Sequence, residues 1–276
     1  MNLDERRDFR RDRYGLVGSR GYTLPDVTGG LVLPFDDLRG GAVPNLELAT
    51  DTLGDDNLVI LAHGFAFPRR LTIETSPKTK GARIVLGPDV TLNGVLKVLD
   101  ENQTVILTGG IPEVGHSGLF QAQLWGPEQF LFVGAGSTTN GTTYVLSGRG
   151  RSIIVGDDCM FAQSVYLSTY DQHAIIDMNT GQAMNKPGDV VIEPHVWLGR
   201  HSTVGKHVVI GLGSVVGANA LALCGCPRFS LFAGVPAKVI RSNTTWDRKA
   251  AVRPATVQGI TALAASVPAF HLPDRP

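Results

Sequence analysis

Cysteine is scarce in this sequence. Three cysteines, Cys159, Cys224 and Cys226, occur among 276 residues, too few for a disulfide framework in a chain of this length. The pair Cys224-Gly-Cys226 could belong to a redox or metal fragment, but no other cysteine lies near it in the sequence. We therefore interpret the three as small buried packing residues and expect a protein of the reducing cytoplasm.

The chain also has no excess of charge and no long apolar run. Its 25 Lys and Arg residues balance 25 Asp and Glu residues, so no basic field predicts a nucleic acid or an acidic membrane as partner. No apolar run approaches the roughly 18 residues of a membrane span. The charged start MNLDERRDFRRDRYG lacks the apolar segment of a secretory signal. A small neutral or saccharide substrate fits this composition.

Glycine, by contrast, is abundant. It makes up 33 of the 276 residues, well above the usual share of about 7%. So much glycine in an otherwise apolar chain, without a collagen triplet, predicts many tight turns between short strands.

A period of six organises much of the sequence. From Ile192 the chain reads IEPHVW, LGRHST, VGKHVV, IGLGSV, VGANAL and ALCGCP. Each of the first five hexapeptides begins with Ile, Leu or Val. Glycine is the second residue in four consecutive hexapeptides, and the fifth residue of each of the first five is small or β-branched. A helix would repeat every 3.6 residues and a simple strand every two, whereas six fits a short strand plus a tight turn. Three such segments would close one turn of a solenoid around a continuous apolar core.

The residues around this repeat resemble a known family. The run from Cys159 to Ala218, with FAGVPAKVIR after it, is similar to the hexapeptide-repeat acyltransferases, and within them to the bacterial capsule and polysialic acid O-acetyltransferases. The resemblance covers residues 155–241 well and 84–154 loosely. It implies an all-β fold: a left-handed parallel β-helix with an inserted loop and a short helical C-terminal tail. It also implies acetyl-CoA as co-substrate, a saccharide acceptor, no metal, and a homotrimer with active sites between its subunits.

The family motifs indicate candidate catalytic residues. The Asp-x-His motif of the inserted loop is Asp171-Gln172-His173, and histidine suits a general base because its pKa lies near neutrality. Asp171 could orient the imidazole or cap its own loop. Trp197, in the His-Val-Trp-aliphatic-Gly motif, could donate its N–H toward the acetyl group, bury the thioester, or pack against a neighbouring subunit. We expect Trp197 to open the turn on which the loop lands, close to His173.

Candidate binding residues follow from the same resemblance. The acceptor candidates are polar or aromatic side chains of the loop and of the strand motif: Tyr170, Asn185, Lys186 and His195. For coenzyme A, small residues leave room for the pantetheine arm and basic residues meet phosphate. These candidates are Gly217, Ala218, Lys238 and Arg241. Lys238 could equally be a solvated surface lysine.

Three positions depart from the family pattern. Tyr170 stands where a small serine is common, Glu193-Pro194 replaces the usual Gly-Asp, and Val235 replaces an asparagine. None of these changes removes a candidate catalytic residue, but Tyr170 and Val235 bear on acceptor and cofactor binding.

Three histidines hold the fourth place of successive sixes: His195, His201 and His207. Successive sixes occupy successive faces of a three-sided coil, so these imidazoles would point about 120° apart and could not meet around one ion in one subunit. Convergence at a subunit interface remains an alternative. We expect no metal.

We divide the chain into four segments. Residues 1–50 are interpreted as a charged N-terminal arm and 51–127 as irregular early β coils with short apolar runs between turn residues. Residues 128–241 are predicted to form the regular β-helix with its loop at 170–190. Residues 242–276 are predicted to form a short helical tail that caps the end of the coil, where strand edges would otherwise be exposed.

The leading functional hypothesis is an acetyl-CoA-dependent O-acetyltransferase of a bacterial cell-surface polysaccharide (capsule, O-antigen or exopolysaccharide), with His173 as general base. A second hypothesis is acetylation of a small acceptor such as an antibiotic, a nucleotide-linked sugar or an amino acid. A third is a non-catalytic β-helix that serves as a scaffold, against which the intact His173 and Trp197 argue.

Overall fold

The chain winds into a three-sided coil of short strands. The structure, a computed structural model, describes residues 17–50, 54–65, 69–88, 90–109, 111–112 and 119–272. Residues 1–16, the charged start of the predicted arm, lie outside the described residues. Successive turns stack in parallel and place their strands on three faces. Face 1 is an eight-stranded sheet, and most strands of faces 2 and 3 share a second, twelve-stranded sheet.

The strands follow the chain from face 1 to face 2 to face 3. Face 1 contains β1 (Leu31–Pro34), β3 (Leu58–Leu61), β5 (Arg83–Leu86), β8 (Thr104–Leu107), β11 (Phe130–Val133), β13 (Ser152–Val155), β15 (Val190–Ile192) and β18 (Val208–Ile210). Face 2 contains β6 (Val90–Thr91), β9 (Ile111–Pro112), the first parts of β12 (Thr138–Ser147) and β14 (Met160–Ser168), β16 (Trp197–Leu198), β19 (Val215–Val216) and β21 (Ser230–Gly234). Face 3 contains β2 (Leu46–Leu48), β4 (Leu71–Thr75), β7 (Gly94–Val98), β10 (Phe120–Trp125), the second parts of β12 and β14, β17 (Thr203–Val204) and β20 (Leu221–Ala222).

The remaining elements lie at the ends of the coil. Strand β22 (Ala237–Ser242) returns antiparallel to β21, and β1 is antiparallel to β3. A 3-10 helix spans Phe35–Gly40, and the α-helix α1 spans Pro254–Ser266. Neither helix, nor any other part of the described chain, is a helix long and apolar enough to cross a membrane.

Pairing between successive turns confirms the period of six. Ile192 of face 1 pairs with Ile210, Trp197 of face 2 with Val215, and Thr203 of face 3 with Leu221. In each case the partners are three sixes apart. Each turn of this region is therefore built from three hexapeptides, one for each face, as the sequence predicts.

Each place within the six has its own structural role. The first-place residues from Ile192 to Ala222 and the fifth-place residues from Val196 to Ala220 are all buried. The fourth-place residues have positive φ, between 54° and 73°: His195, His201, His207, Gly213 and Asn219. Glycine adopts this left-handed conformation freely, and asparagine and histidine are enriched in it among the other residues. The three histidines therefore occupy turns at three successive corners of the coil.

Parallel stacking of the coil begins much earlier than residue 128. Strands of the 51–127 segment pair in parallel with the later turns, in the same sheets. Arg83 pairs with Thr104 and Thr104 with Phe130, so these early turns are longer than three hexapeptides and do not follow the regular period. In the preceding segment, Phe35, Leu38 and Leu46 are buried at the first turn of the core. The prediction of an arm without core residues is therefore wrong for residues 31–50, because their apolar side chains close the open end of the coil.

The C-terminal tail packs along the outside of face 1. Helix α1 is present as predicted, but Ile260 and Val267 join an apolar cluster with outward-facing residues such as Phe130 and Phe132. Strand β11 is buried at all four positions, because the coil interior covers one of its surfaces and terminal segments cover the other. The antiparallel hairpin of β21 and β22 closes the end of the coil. The prediction that the tail caps this end is therefore wrong.

A buried ion pair fastens the tail to the coil. Glu193 is 1% exposed, and its carboxylate accepts hydrogen bonds from Arg228 Nε at 2.6 Å and Nη2 at 2.9 Å. The same carboxylate accepts from the backbone amides of Leu212 at 2.8 Å and Phe270 at 2.7 Å. Arg228 also donates to the Val267 carbonyl at 3.0 Å. Because a buried charge requires such partners, Glu193 joins face 1, the last turn and the tail.

The three cysteines are free, as expected. Cys159 and Cys226 are buried, whereas Cys224 is exposed, so its prediction as a buried packing residue is wrong. Burial raises the pKa of the Cys159 thiol to about 12. A thiol with so high a pKa is protonated and unreactive near neutral pH, which agrees with a packing role for Cys159.

Candidate functional site

The inserted loop leaves the coil at one edge. Strand β14 ends at Ser168 on face 3 and the chain re-enters face 1 at Val190. Thr169 fastens the start of the loop: its Oγ1 accepts from the Ser147 amide at 2.8 Å and donates to the Ser147 carbonyl at 3.0 Å. We call the edge between faces 3 and 1 the loop edge, and it comprises residues 125–126, 147–148, 169–189 and 205–207.

Asn185 holds the loop from within. Its side chain is buried, and its Nδ2 donates to Asp171 Oδ2 at 2.8 Å and to the His173 carbonyl at 2.7 Å. Its Oδ1 accepts from the Ile175 amide at 2.7 Å. The amide group of Asn185 therefore shapes the loop, and because the residue also lines the cavity beside the loop, its contact with an acceptor stays a prediction.

Asp171 pairs with Lys206 from the next turn of the coil. Its Oδ2 accepts a hydrogen bond from Lys206 Nζ as well as the one from Asn185. Burial alone would raise the pKa of Asp171, but the hydrogen bonds from Lys206 and Asn185 and the charge of Lys206 outweigh it and lower the pKa. Asp171 is therefore an ionised anchor at neutral pH. In the described structure its carboxylate contacts Lys206 and Asn185 and not the His173 imidazole, so direct orientation of that ring, one of the two roles left open for Asp171, is not observed.

His173 presents an exposed side chain on a fixed backbone. Its amide donates to the Asp171 carbonyl at 2.9 Å, and its carbonyl accepts from Asn185. The preceding residue, Gln172, has a φ of 67°, so the chain turns sharply at the motif. An accessible imidazole on a backbone held from both sides can exchange a proton with a bound hydroxyl.

A cavity of about 360 Å³ lies beside the loop. Residues of the loop and of the coil line it together: Asp171, Met184, Asn185, Lys186, Gly205, Lys206, His207 and Leu223. Lys186 is exposed at this cavity, and Lys206 Nζ lies 6.0 Å from the centroid of the Tyr170 ring. Both positions are compatible with acceptor binding by Tyr170 and Lys186, which stays a prediction.

Replacing Asn185 by alanine is expected to loosen the loop. The change removes two donated hydrogen bonds and leaves the Ile175 amide without its acceptor, and each buried unmade hydrogen bond costs about 1–3 kcal/mol. Amide hydrogen exchange within residues 171–185 should accelerate about tenfold or more. Asn179→Ala, in the exposed tip of the same loop, is the matched control and should leave the exchange unchanged. Equal exchange in both variants would refute this role of Asn185.

Trp197 lies on a different side of the coil from the loop. It begins β16 on face 2, between Met160 and Val215 of the neighbouring turns. Its indole is 37% exposed and its ring centroid lies 6.2 Å from that of Trp246. The expectation that the coil of one chain brings Trp197 to His173 is therefore wrong, because the full width of face 3 intervenes before the loop edge.

His195 is buried and contacts Trp246 of the C-terminal tail; we call this the tail contact. Its Nδ1 lies 2.6 Å from Asp158 Oδ2 and its Nε2 lies 3.1 Å from the Trp246 carbonyl oxygen. The imidazole stacks on the Trp246 ring with centroids 4.3 Å apart, and Trp246 Nε1 donates to the His195 carbonyl at 2.9 Å. The predicted role of His195 in acceptor binding is contradicted, because both ring nitrogens are engaged within the protein.

Asp158 and Arg248 complete the tail contact. Burial by itself would raise the pKa of Asp158, but hydrogen bonds from His195 and Arg248 and the charge of Arg248 lower it. Arg248 donates to Asp158 Oδ1 at 2.9 Å and to the carbonyls of Gly136 and Cys159, each at 3.0 Å. The tail therefore crosses the edge between faces 1 and 2, beside the strand that carries Trp197.

The candidate cofactor residues fall into two places. Gly217 and Ala218 lie at the edge between faces 2 and 3, where a Cβ on Gly217 would come within 2.8 Å of the Ala233 Cβ. Lys238 pairs with Ala233 in the closing hairpin and is exposed at the same edge. Arg241 lies further along β22 and lines a groove with helix α1. The structure thus groups Gly217, Ala218 and Lys238 and separates Arg241 from them.

The three corner histidines are dispersed in one chain. His195 is engaged by the tail, His201 is exposed, and His207 lines the cavity at the loop edge. Across the described ranges, no group of three or more His, Cys, Asp or Glu side chains could hold a metal ion.

Sequence reasoning did not single out Lys206, Trp246 or Arg248. The placement of Lys206 follows from the strand register: Val204 pairs with Leu167 of the previous turn, so Lys206, two residues further on, lies above the start of the loop at Thr169. Trp246 and Arg248 follow the last hexapeptide, and the repeat carries no information on the path of the tail.

Two known proteins share sequence with this chain and support its resemblance to the acyltransferase family. No family model matches the chain. A polysialic acid O-acetyltransferase of Escherichia coli O1:K1 / APEC is 36% identical over 111 residues, 40% of this chain and 36% of that relative. One of Neisseria meningitidis is 35% identical over 113 residues, 41% of this chain and 53% of that relative. The resemblance to hexapeptide-repeat acyltransferases is confirmed.

The hexapeptide-repeat fold is also confirmed by a solved structure. The crystal structure of the polySia specific acetyltransferase NeuO matches with a TM-score of 0.59 and 21% identity, covering 81% of this chain and 99% of that one. The all-β, left-handed parallel β-helix with a short C-terminal helix is thus the fold of this chain. The chain spans between about a third and a half of the length of the two curated relatives.

Proposed function

We propose that the protein transfers an acetyl group from acetyl-CoA to a hydroxyl of a bacterial cell-surface polysaccharide, such as a capsule, an O-antigen or an exopolysaccharide. The observation that carries the proposal is the exposed His173 on a well-held loop: Lys206 of the coil pairs with the Asp171 carboxylate, and Asn185 binds the loop backbone from within. The names of the two relatives support this class of reaction. The neutral net charge of the chain also suits a saccharide better than a nucleic acid.

His173 is proposed to act as general base. A sugar hydroxyl is a weak nucleophile at neutral pH, so the imidazole takes its proton while the oxygen attacks the thioester carbonyl. The tetrahedral intermediate then expels the thiolate of coenzyme A, which recovers that proton from the imidazolium. Asp171 acts in this account as a positioning residue, because its carboxylate fixes the loop through Lys206 and Asn185.

The cofactor is proposed to bind at the edge between faces 2 and 3. The small residues Gly217 and Ala218 lie at this edge next to the Ala233 methyl group, and the exposed Lys238 offers a charge for phosphate. Arg241 would meet the nucleotide end only if the cofactor extends across the hairpin toward helix α1.

We further propose a homotrimer with its sites between subunits. The loop exposes apolar side chains, including Ile175, Ile176, Met178 and Met184, at 56–92% of their surface, and such a cluster favours a protein partner. A closed threefold arrangement lets the loop edge of one chain approach face 2 of the next. That arrangement would unite His173 of one subunit with the Trp197 of its neighbour, which one chain keeps apart.

Incubation with acetyl-CoA and a panel of glycans and small acceptors tests the proposed activity. Free thiol is released as acetyl is transferred, and mass spectrometry locates the acetyl group. The proposal predicts transfer to at least one cell-surface polysaccharide. Transfer to small acceptors alone would favour an antibiotic, nucleotide-sugar or amino acid acetyltransferase, and no transfer to any acceptor would favour a scaffold.

Trp197→Phe is expected to lower kcat by roughly 10- to 1,000-fold if the indole N–H faces the developing oxyanion. The phenyl ring keeps most of the aromatic area, so the KM for acetyl-CoA should change little. Steady-state kinetics and light scattering on the same sample separate the two roles of Trp197. A trimeric variant with unchanged turnover would show that this side chain serves assembly and that other donors stabilise the oxyanion.

A further inference from the structure

A groove of about 580 Å³ reaches the loop edge at Trp125, two turns before the loop, and extends from there toward the earlier turns. Three successive turns build it, with Ser76 after β4, Leu99 after β7 and Trp125 at the end of β10. The Trp125 side chain is 51% exposed. A large aromatic side chain left exposed at a concave site indicates a ligand that packs on it.

The chemistry of the groove matches a saccharide. Trp125 Nε1 donates to Gln123 Oε1 at 3.2 Å, which fixes the edge of the indole and leaves an apolar ring surface accessible. Lys78, Asp100 and the Lys97–Glu74 ion pair of 2.6 Å line the same groove and supply donors and acceptors. A sugar ring has an apolar C–H face and a rim of hydroxyls, so it fits an aromatic platform bordered by groups of both charges.

The groove and the His173 loop follow one line along the coil. Trp125 pairs with Ser147 of the next turn, and Ser147 exchanges two hydrogen bonds with Thr169 at the start of the loop. Neighbouring strands lie about 4.8 Å apart, so the backbone at Trp125 is roughly 10 Å from the backbone at the start of the loop. A linear polymer lying along this edge would cover both places at once.

We propose that this groove binds a distal segment of the acceptor polysaccharide while another segment lies at His173. The inference rests on the proposed O-acetyltransferase function and deepens it, because it selects a polymer over a short precursor as acceptor. Trp125 is then a specificity residue, because it binds the polysaccharide without contacting the reacting atoms.

Calorimetric titration of inactive protein with polymers tests the groove apart from activity. The probes are polysialic acid, an acidic polymer, and dextran, a neutral one, each titrated into full-length His173→Ala protein. At least one is expected to bind, and Trp125→Ala added to that variant should weaken its binding by about tenfold or more, as for a central aromatic contact. Trp125→Phe should restore most of the affinity because it keeps an aromatic face. Val252→Ala, another exposed apolar side chain, is the matched control.

Two results would overturn the inference. One is binding of neither polymer to the His173→Ala protein, and the other is equal binding with and without the Trp125 indole. Light scattering of the Trp125→Ala variant supplies a further check, because a smaller assembly would show that a second copy of the chain occupies the groove.

Kinetics on the active protein separate this inference from the proposed function. With a polymer acceptor identified by thiol release, Trp125→Ala should lower the ratio of kcat/KM for the polymer to kcat/KM for its disaccharide about tenfold. An unchanged ratio with normal transfer would refute polysaccharide binding in the groove and leave the acetyltransferase proposal standing. Polymer binding that depends on Trp125, in a protein that transfers no acetyl group to any glycan, would refute the proposed activity and support the groove as a binding site.

Discussion

His173→Ala is expected to lower kcat for acetyl transfer by about 10²–10⁴-fold, the usual contribution of a general base. The substitution should not disturb the fold, because the His173 side chain is exposed and its hydrogen bonds to Asp171 and Asn185 use only the backbone. Steady-state kinetics at saturating acetyl-CoA, with circular dichroism and light scattering of the same preparation, measure both parts of the prediction.

His201→Asn provides a matched control for that experiment. His201 is also exposed, and its φ of 56° occupies a corner of the coil, where asparagine is tolerated as at Asn219. This variant should retain wild-type turnover. Near-normal turnover of His173→Ala would show that the base is another residue, whereas an equal loss in both variants would point to a general effect of removing surface histidines.

Glu193→Ala is expected to lower the free energy of unfolding by up to about 3–5 kcal/mol, because it leaves the partly buried Arg228 guanidinium without its charged partner. The lost carboxylate accepts from the Arg228 guanidinium and from the backbone amides of Leu212 and Phe270. The tail should detach first, since Phe270 and the Val267 carbonyl depend on this ion pair. Chemical denaturation measures the loss, and hydrogen exchange of residues 254–270 shows where it begins.

The double substitution Glu193→Leu with Arg228→Met tests the electrostatic origin of that loss. Replacing both members of a buried pair by apolar groups of similar volume is often close to neutral, although two backbone amides would still lose their acceptor. The double variant should therefore be more stable than Glu193→Ala. If the single substitution costs less than about 1 kcal/mol, the pair does not hold the tail.

The period of six predicts the coil because it is a local property of the sequence. Each first-place aliphatic residue, such as Ile192, Leu198 or Val204, is buried in the structure, and each turn repeats the same steric requirement at the same place. The same local argument explains the histidines at the fourth place, His201 and His207, because a corner with positive φ accepts only a few residue types. These inferences need no knowledge of distant parts of the chain.

Contacts between distant segments could not be predicted in this way. The family motif indicated His195 and Asn185 as acceptor ligands, yet His195 meets Trp246 and Asn185 closes a hairpin-like loop. Both partners depend on how a non-repeating segment folds back on the coil. The continuous apolar strand FLFV of β11, buried on both surfaces, was a usable signal that something covers face 1, because a strand with one solvated surface would alternate.

The separation of the candidate residues in one chain supports the proposed assembly. His173 lies at the loop edge, Trp197 on face 2 and Lys238 at the edge between faces 2 and 3. Three-sided coils expose flat faces and projecting corners, so one chain can offer each part of a site to a different neighbour. In this account the activity is a property of the assembly, and variants that weaken the apolar loop contact should lose activity with their oligomeric state.

Chain mixing tests the shared site most directly. His173→Ala and Trp197→Phe proteins, each of low activity alone, are unfolded, mixed in equal amounts and refolded together, and thiol release from acetyl-CoA is measured with a polysaccharide acceptor. If His173 of one subunit works with Trp197 of the next, random trimers carry both wild-type residues at about a quarter of their sites, and activity returns to about that fraction of the refolded wild type. Activity no higher than the mean of the two separate variants would contradict the account.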